Sequence, residues 1–197
     1  MKIFKHRCNT AVDLDATPRE FGIEVDIRTW RDTLVTEHDP FVEGNSFVDW
    51  IASYSHAGLI LNIKEEGLEE ALISLLSERS ISDYFFLDQS YPFMIKWLRA
   101  GFGRHIAARV SDYESIFSLQ SLPYIPKFIW CDSFSGNWEH LVSTAEFAAD
   151  NDSTVIIVSP ELHQRKPNLE VNQILERGST LSSVNLAVCT KDPSLWT

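Results

Sequence analysis

At 197 residues with 44% hydrophobic content, the chain is long enough to bury one sizeable core, and one domain over residues 1–197 is the expectation. Its 28 acidic against 17 basic residues give a formal net charge of -11, which repels nucleic acid and anionic membranes, and no Lys/Arg cluster offsets it. Cys8, Cys131 and Cys189 are odd in number and far apart, so they read as buried free thiols; with no signal peptide and no stretch long enough for a membrane span, a soluble cytoplasmic protein is expected.

Short apolar runs alternate with helical patterns along the chain, the mark of a βα succession with a parallel sheet. The first strand candidates are KIFKHRC (2–8) and GIEVDIR (22–28), with loop-like sequence between them. LILNIK (59–64) follows, then a helical stripe of Leu68, Ala71, Leu72, Leu75 and Leu76. After YFFLDQ (84–89) comes a second stripe, Phe93, Met94, Trp97 and Leu98, which Gly101 is placed to end. HIAARV (105–110) precedes SDYE (111–114), a capping-box pattern with Ile116 and Phe117 as the apolar side of a short helix. FIWCD (128–132), TVIIVS (154–159) and NLAVCT (185–190) complete eight strands, separated by the stripes Trp138, Leu141, Val142, Ala145 and Val171, Ile174, Leu175, the last before Gly178. Eight strands with interleaved helices predict a small (β/α)8 barrel of the TIM type, trimmed between its first two strands.

Strand side chains alternate between faces, so Glu24 and Asp26 point one way while Ile23, Val25 and Ile27 point the other. With the apolar face against outer helices, both acids look into the barrel mouth, and burying two like charges there calls for a cation or strong donors. Asn62 and Lys64 share a face, as do His105 and Arg109, Phe86 and Asp88, and Trp130 and Asp132. Polar groups thus gather at the strands' C-terminal ends, where such barrels build their sites. Carboxylates, cationic side chains, His6 and His38 together suit metal-assisted chemistry on a phosphate ester.

The order HR (6–7), E-x-D (24–26), HD (38–39) and the Lys of the third strand (Lys64) resembles the glycerophosphodiester phosphodiesterase family and its relatives among the phosphatidylinositol phospholipases C, most strongly over residues 6–64. The resemblance implies a TIM barrel that splits a phosphodiester with a divalent ion, Mg or Ca. It implies His6 and His38 as the acid/base pair, Glu24 and Asp26 with Asn62 around the metal, and Arg7 and Lys64 on phosphate. Arg109 and Trp130 are further candidates for substrate contact, the first with pairing to Asp132 or Asp88 and the second with a place in the barrel core as the alternative. Three positions depart from the family pattern. Cys8 stands where a Gly usually follows HR, Thr33 where the turn before HD has Gly, and Asn62 where the third metal carboxylate is found.

The function expected is a metal-dependent hydrolase of a small glycerophosphodiester-like molecule, using histidine acid/base catalysis, with no nucleic-acid partner. A second reading is a degenerate barrel that binds a phosphorylated small molecule without turnover. A third, another phosphate-handling barrel such as an isomerase or aldolase, is disfavoured by the two histidines and the lack of a Gly-rich phosphate loop after the last strands.

Overall fold

The computed structural model describes residues 1–179 and 184–197. The chain opens with β1 (Lys2–Lys5), α1 (Ala11–Ala16) and β2 (Gly22–Trp30), followed by a small antiparallel extension, β3 (Thr33–Thr36) and β4 (Asn45–Ser46), and by α2 (Phe47–Ala52). Strict alternation then runs β5 (Leu59–Ile63), α3 (Glu69–Glu78), β6 (Tyr84–Leu87), α4 (Tyr91–Arg99), β7 (Ala107–Val110), α5 (Phe117–Gln120), β8 (Phe128–Cys131), α6 (His140–Asp150), β9 (Thr154–Val158), α7 (Pro167–Ser179) and β10 (Asn185–Thr190). Eight parallel strands curl in the order β6-β5-β2-β1-β10-β9-β8-β7. The two edges meet at one parallel bridge, Phe86–Ile106. The sheet is therefore a TIM-like curl with a seam between β6 and β7, not the fully laddered barrel expected.

Two apolar clusters follow from the alternation of side chains along each strand. Outside the curl, Ile23, Val25, Ile27, Leu61 and Val188 pack with helix residues such as Leu72, Leu98 and Leu141. Inside it, Phe4, Ile60, Phe85, Leu87, Trp130, Ile156 and Cys189 fill the space between the strands. Trp130, expected as a substrate wall, is 4% exposed and belongs to this filling. All three cysteines are buried free thiols.

Four local expectations change. The segment between β1 and β2 is not loop alone, because Thr10 and Asp13 form a reciprocal capping box that starts α1. The HD segment follows a β-hairpin: Trp30 pairs with Thr33, leaving Arg31 and Asp32 as a two-residue turn with φ of 47° and 64°. Those two residues carry the left-handed conformation, so Thr33 sits in an ordinary strand where no glycine is required. SDYE closes a tight turn in which Ser111 Oγ accepts from the Tyr113 and Glu114 amides, and α5 begins only at Phe117, which is exposed. Phe86 lies in the outer cluster while Asp88 reaches the mouth, because β6 ends at Leu87 and a left-handed residue, Asp88 with φ of 60°, breaks the alternation.

The packing assigns Trp130 to stability. Trp130→Ala should lower the unfolding free energy by about 3–5 kcal/mol, the usual cost of emptying an aromatic site in a core. A urea melt within 1 kcal/mol of wild type, taken as roughly the limit of a conservative core swap, would return Trp130 to the list of surface-facing residues.

Candidate active site

The part of β2 that pairs with β5 brings Glu24 and Asp26 inward, both essentially inaccessible to solvent. Every oxygen of the pair has a cationic or donor neighbour. Glu24 Oε2 accepts the Arg7 amide at 2.6 Å and Oε1 accepts Asn62 Nδ2 at 2.9 Å. Asp26 Oδ2 accepts Asn9 Nδ2 at 2.8 Å, and Asn9 Oδ1 in turn accepts the Asp26 amide at 2.9 Å. Lys64 Nζ lies 3.1 Å from Asp26 Oδ1 and Arg7 Nε 3.4 Å from Oδ2. Arg7 can offer its amide because it adopts a left-handed φ of 54°. The following residue is anchored from below, since Trp50 Nε1 donates to the Cys8 carbonyl at 3.0 Å.

His6 extends β1 with its Nε2 3.8 Å from Glu24 Oε2, and its Nδ1 is buried without a hydrogen-bond partner. Burial, reinforced by Arg7, pushes its pKa down to about 3, so the ring is neutral. Glu24 moves the other way, up to about 7, because burial and the neighbouring Asp26 both disfavour its charge; the Asn62 and Arg7 hydrogen bonds oppose that shift. His38 stands apart from this cluster. Its side chain is 40% exposed, its Nδ1 is 2.7 Å from Asp39 Oδ1, and its carbonyl accepts Arg28 Nε at 3.0 Å. The hydrogen bond from His38 holds the Asp39 carboxyl below its usual range. The Glu37 amide donates to the Asp26 carbonyl at 3.2 Å, which fixes the His38 segment to the end of β2.

A second set of charges lines the far wall. Lys64 Nζ is 3.9 Å from Asp88, Asp88 also binds Arg109, and Arg109 Nη1 donates to Asp132 at 2.7 Å. Asp132 is buried and its other oxygen meets His163 Nε2 at 2.7 Å. Asp26, Lys64, Asp88, Arg109 and Asp132 thus alternate in charge along the wall, and the series ends on His163 at Asp132. Of the two readings of Arg109, substrate contact or pairing with Asp132 or Asp88, the guanidinium takes the second and binds both carboxylates. Asn9, Trp50 and the Asp132–His163 pair were not foreseen. Asn9 carried a signal, standing two residues after HR, and His163 lies in the SPELHQR loop after a strand end.

The oxygen donors suit a hard divalent ion. Asp26 Oδ1 and Asn62 Oδ1 are buried acceptors without a hydrogen-bond partner; Asp26 and Asn62 face each other in the register of β2 and β5, and Glu24 stands two residues earlier on β2. Among the described residues no three His, Cys, Asp or Glu side chains gather as a metal cluster, so a divalent ion here would take Glu24, Asp26 and the Asn62 amide oxygen as its protein ligands. Asp88 and Asp132 do not supply the missing carboxylate, being held by Arg109.

A curled eight-stranded parallel sheet with carboxylate, lysine and histidine side chains at its mouth defines an α/β protein with a TIM-like fold. In structure the chain is similar to a glycerophosphodiester phosphodiesterase from Agrobacterium tumefaciens, with a TM-score of 0.64 and 14% identity over 100% of this chain and 98% of that one. It is also similar to a glycerophosphoryl diester phosphodiesterase from Parabacteroides distasonis, with a TM-score of 0.63 and 13% identity over 95% and 82% of the two chains. No protein-family model matches the chain, and no curated protein matches it in sequence. No helix among the described residues is long and apolar enough to cross a membrane.

The raised Glu24 carboxyl makes ion uptake depend on pH. Metal-free protein holds the Glu24 proton up to about pH 7, and a ligating carboxylate must give it up, so ion binding at about pH 6 should release close to one proton and at about pH 8 almost none. Calorimetric titration with Mg or Ca in buffers of different ionisation enthalpy counts that proton. Equal counts at both pH values would remove Glu24 from the ligand set.

Proposed function

We propose that this protein is a phosphodiester hydrolase acting on a small glycerophosphodiester-like substrate. The observation that carries the reading is the buried Glu24–Asp26 pair flanked by neutral His6, Arg7 and Lys64, on a fold shared with glycerophosphodiester phosphodiesterases. The formal charges of Glu24, Asp26, Arg7 and Lys64 cancel, so a monoanionic diester meets no net repulsion. Glu24, Asp26 and Asn62 would hold a divalent ion, Mg or Ca, whose charge would polarise a phosphate oxygen.

Arg7 and Lys64 hold the remaining phosphate oxygens, Lys64 trading part of its contact with Asp26 for the ligand. His6 is the base: it is neutral, and the unpartnered Nδ1 can take the proton of the attacking hydroxyl or water. His38 is the acid, giving a proton to the leaving oxygen while Asp39 orients its ring. Its half-exposed position on the rim suits a group that meets the substrate from the solvent side.

Turnover of bis(p-nitrophenyl) phosphate and glycerophosphocholine should depend on added Mg, Ca or Mn. His6→Ala and His38→Ala should each lower kcat by ~100-fold or more with the fold intact by circular dichroism, the low end for a positioned acid or base. Near-wild-type turnover by either variant would remove that residue from the reaction. The Asn62 departure favours the rival reading, a barrel that binds a phosphorylated small molecule without turnover. Phosphate-ester binding with no hydrolysis under any of the three ions would establish it.

A further inference from the structure

Beside the mouth, the loops after β5 and β6 bring together a second group of oxygens. Glu69 is the first residue of α3, and Gln89 and Ser90 lead into α4. Gln89 Nε2 donates to Glu69 Oε1 at 2.7 Å. The pair's other two oxygens, Glu69 Oε2 and Gln89 Oε1, are buried with no hydrogen-bond partner, and so is Ser90 Oγ. Glu69 as a whole is only 1% exposed. Ser90 holds the N-cap position of α4, where a hydroxyl ordinarily accepts an amide of its own helix, yet it makes no capping bond.

All three residues line one small cavity of about 180 Å³, room for an ion and a few waters. A carboxylate oxygen and an amide oxygen can only accept, and leaving such atoms buried without a donor is destabilising. The occupant is therefore a cation or a donor, and charge selects between them. Glu65, Glu66, Glu69 and Asp88 line the cavity against one cation, Lys64. Lys64 is itself engaged, 3.1 Å from Asp26 and 3.9 Å from Asp88, and Asp88 is held by Arg109. The unsatisfied set of carboxylate, amide and hydroxyl oxygens is hard, with no nitrogen or sulfur among them, which favours calcium over a transition metal. Calcium also accepts irregular geometry and mixed neutral ligands, whereas magnesium demands a near-ideal octahedron.

We propose that this cavity is a calcium site separate from the Glu24–Asp26 pair, with Glu69 Oε2, Gln89 Oε1 and Ser90 Oγ as its protein ligands and water completing the shell. One charged ligand makes it a weak site, with a Kd of about 10⁻⁴–10⁻³ M, the low-affinity end for calcium bound by oxygens. Its position gives it a consequence for the mouth. Lys64 follows β5 and Asp88 follows β6, so an ion that joins the two loops across this strand pair steadies the Lys64–Asp88 contact. The site does not depend on the hydrolase reading.

Calcium titrated by calorimetry into EDTA-treated protein tests it. Glu24→Gln disables the mouth pair, and this variant should still bind calcium and gain melting temperature from it, with magnesium a poor competitor. Adding Glu69→Gln, which keeps the shape and removes the one charged ligand, should weaken that binding by ~10-fold or more and flatten the melting response. In EDTA the Glu69→Gln single variant should melt no lower than wild type, because a buried carboxylate oxygen without a partner has been removed. Calcium binding and melting response unmoved by Glu69→Gln, or no calcium bound by a folded Glu24→Gln, overturns the site and leaves a water-filled cavity. Wild-type crystals soaked in calcium chloride decide the matter without any variant: anomalous density bridging Glu69, Gln89 and Ser90 supports the site, and a water there with no anomalous signal overturns it.

Discussion

Two carboxylates buried two residues apart on β2 are the constraint around which the mouth is organised. Left alone, Glu24 and Asp26 would repel each other in a medium that solvates neither, and the protein would lose several kcal/mol or keep them protonated. The chain surrounds them instead. Arg7 gives an amide through a left-handed turn, Asn9 gives both an amide donor and a carbonyl, Asn62 reaches from the next strand, and Lys64 and Arg7 bring positive charge. Trp50 then holds the backbone of Cys8 from below. The loop after β1, the hairpin after β2 and the end of β5 are all positioned by what these acids require.

The same constraint leaves Glu24 poised. Its neighbours are neutral donors, whereas Asp26 has the two cations, so the residual penalty falls on Glu24, whose carboxyl is pushed up to about 7. His6, buried against it, is kept neutral by desolvation. A neutral imidazole with an unpartnered Nδ1, its Nε2 facing a carboxyl near its midpoint, is an arrangement prepared for a cation or a proton to arrive.

Across the mouth the solution differs. Asp88 and Asp132 share the single guanidinium of Arg109, with His163 closing the series. That wall therefore has no cation to spare for a second anionic group, and its character is set by carboxylates. The weak β6–β7 seam adjoins this wall. Short strands there, four residues each, share a single bridge, and the space that a full ladder would close is left as a groove. The two halves of the mouth thus offer different chemistry: cations beside buried acids on one side, carboxylates sharing one guanidinium on the other.

The sequence by itself determined the parallel succession, the inward face of Glu24, Asp26, Asn62 and Lys64, and the free buried cysteines. These depend on periodicity and composition, which are local: a strand's alternation is already present in GIEVDIR and LILNIK. The hairpin that carries His38 and the α2 helix beneath Cys8 had weaker signals, because RTWRDTLVT mixes charged and β-branched residues and SFVDWIA is only two turns long. Other features were decided only in three dimensions. Whether Arg109 meets substrate or Asp132, whether Trp130 lines a site or fills the interior, and whether β6 closes on β7 depend on which strands become neighbours and how tightly the sheet curls. Asp88 shows the limit most plainly: alternation puts it on one face with Phe86, yet Phe86 packs outside the curl while one left-handed residue at the strand's end, a backbone choice that tertiary contacts stabilise, turns Asp88 to the mouth.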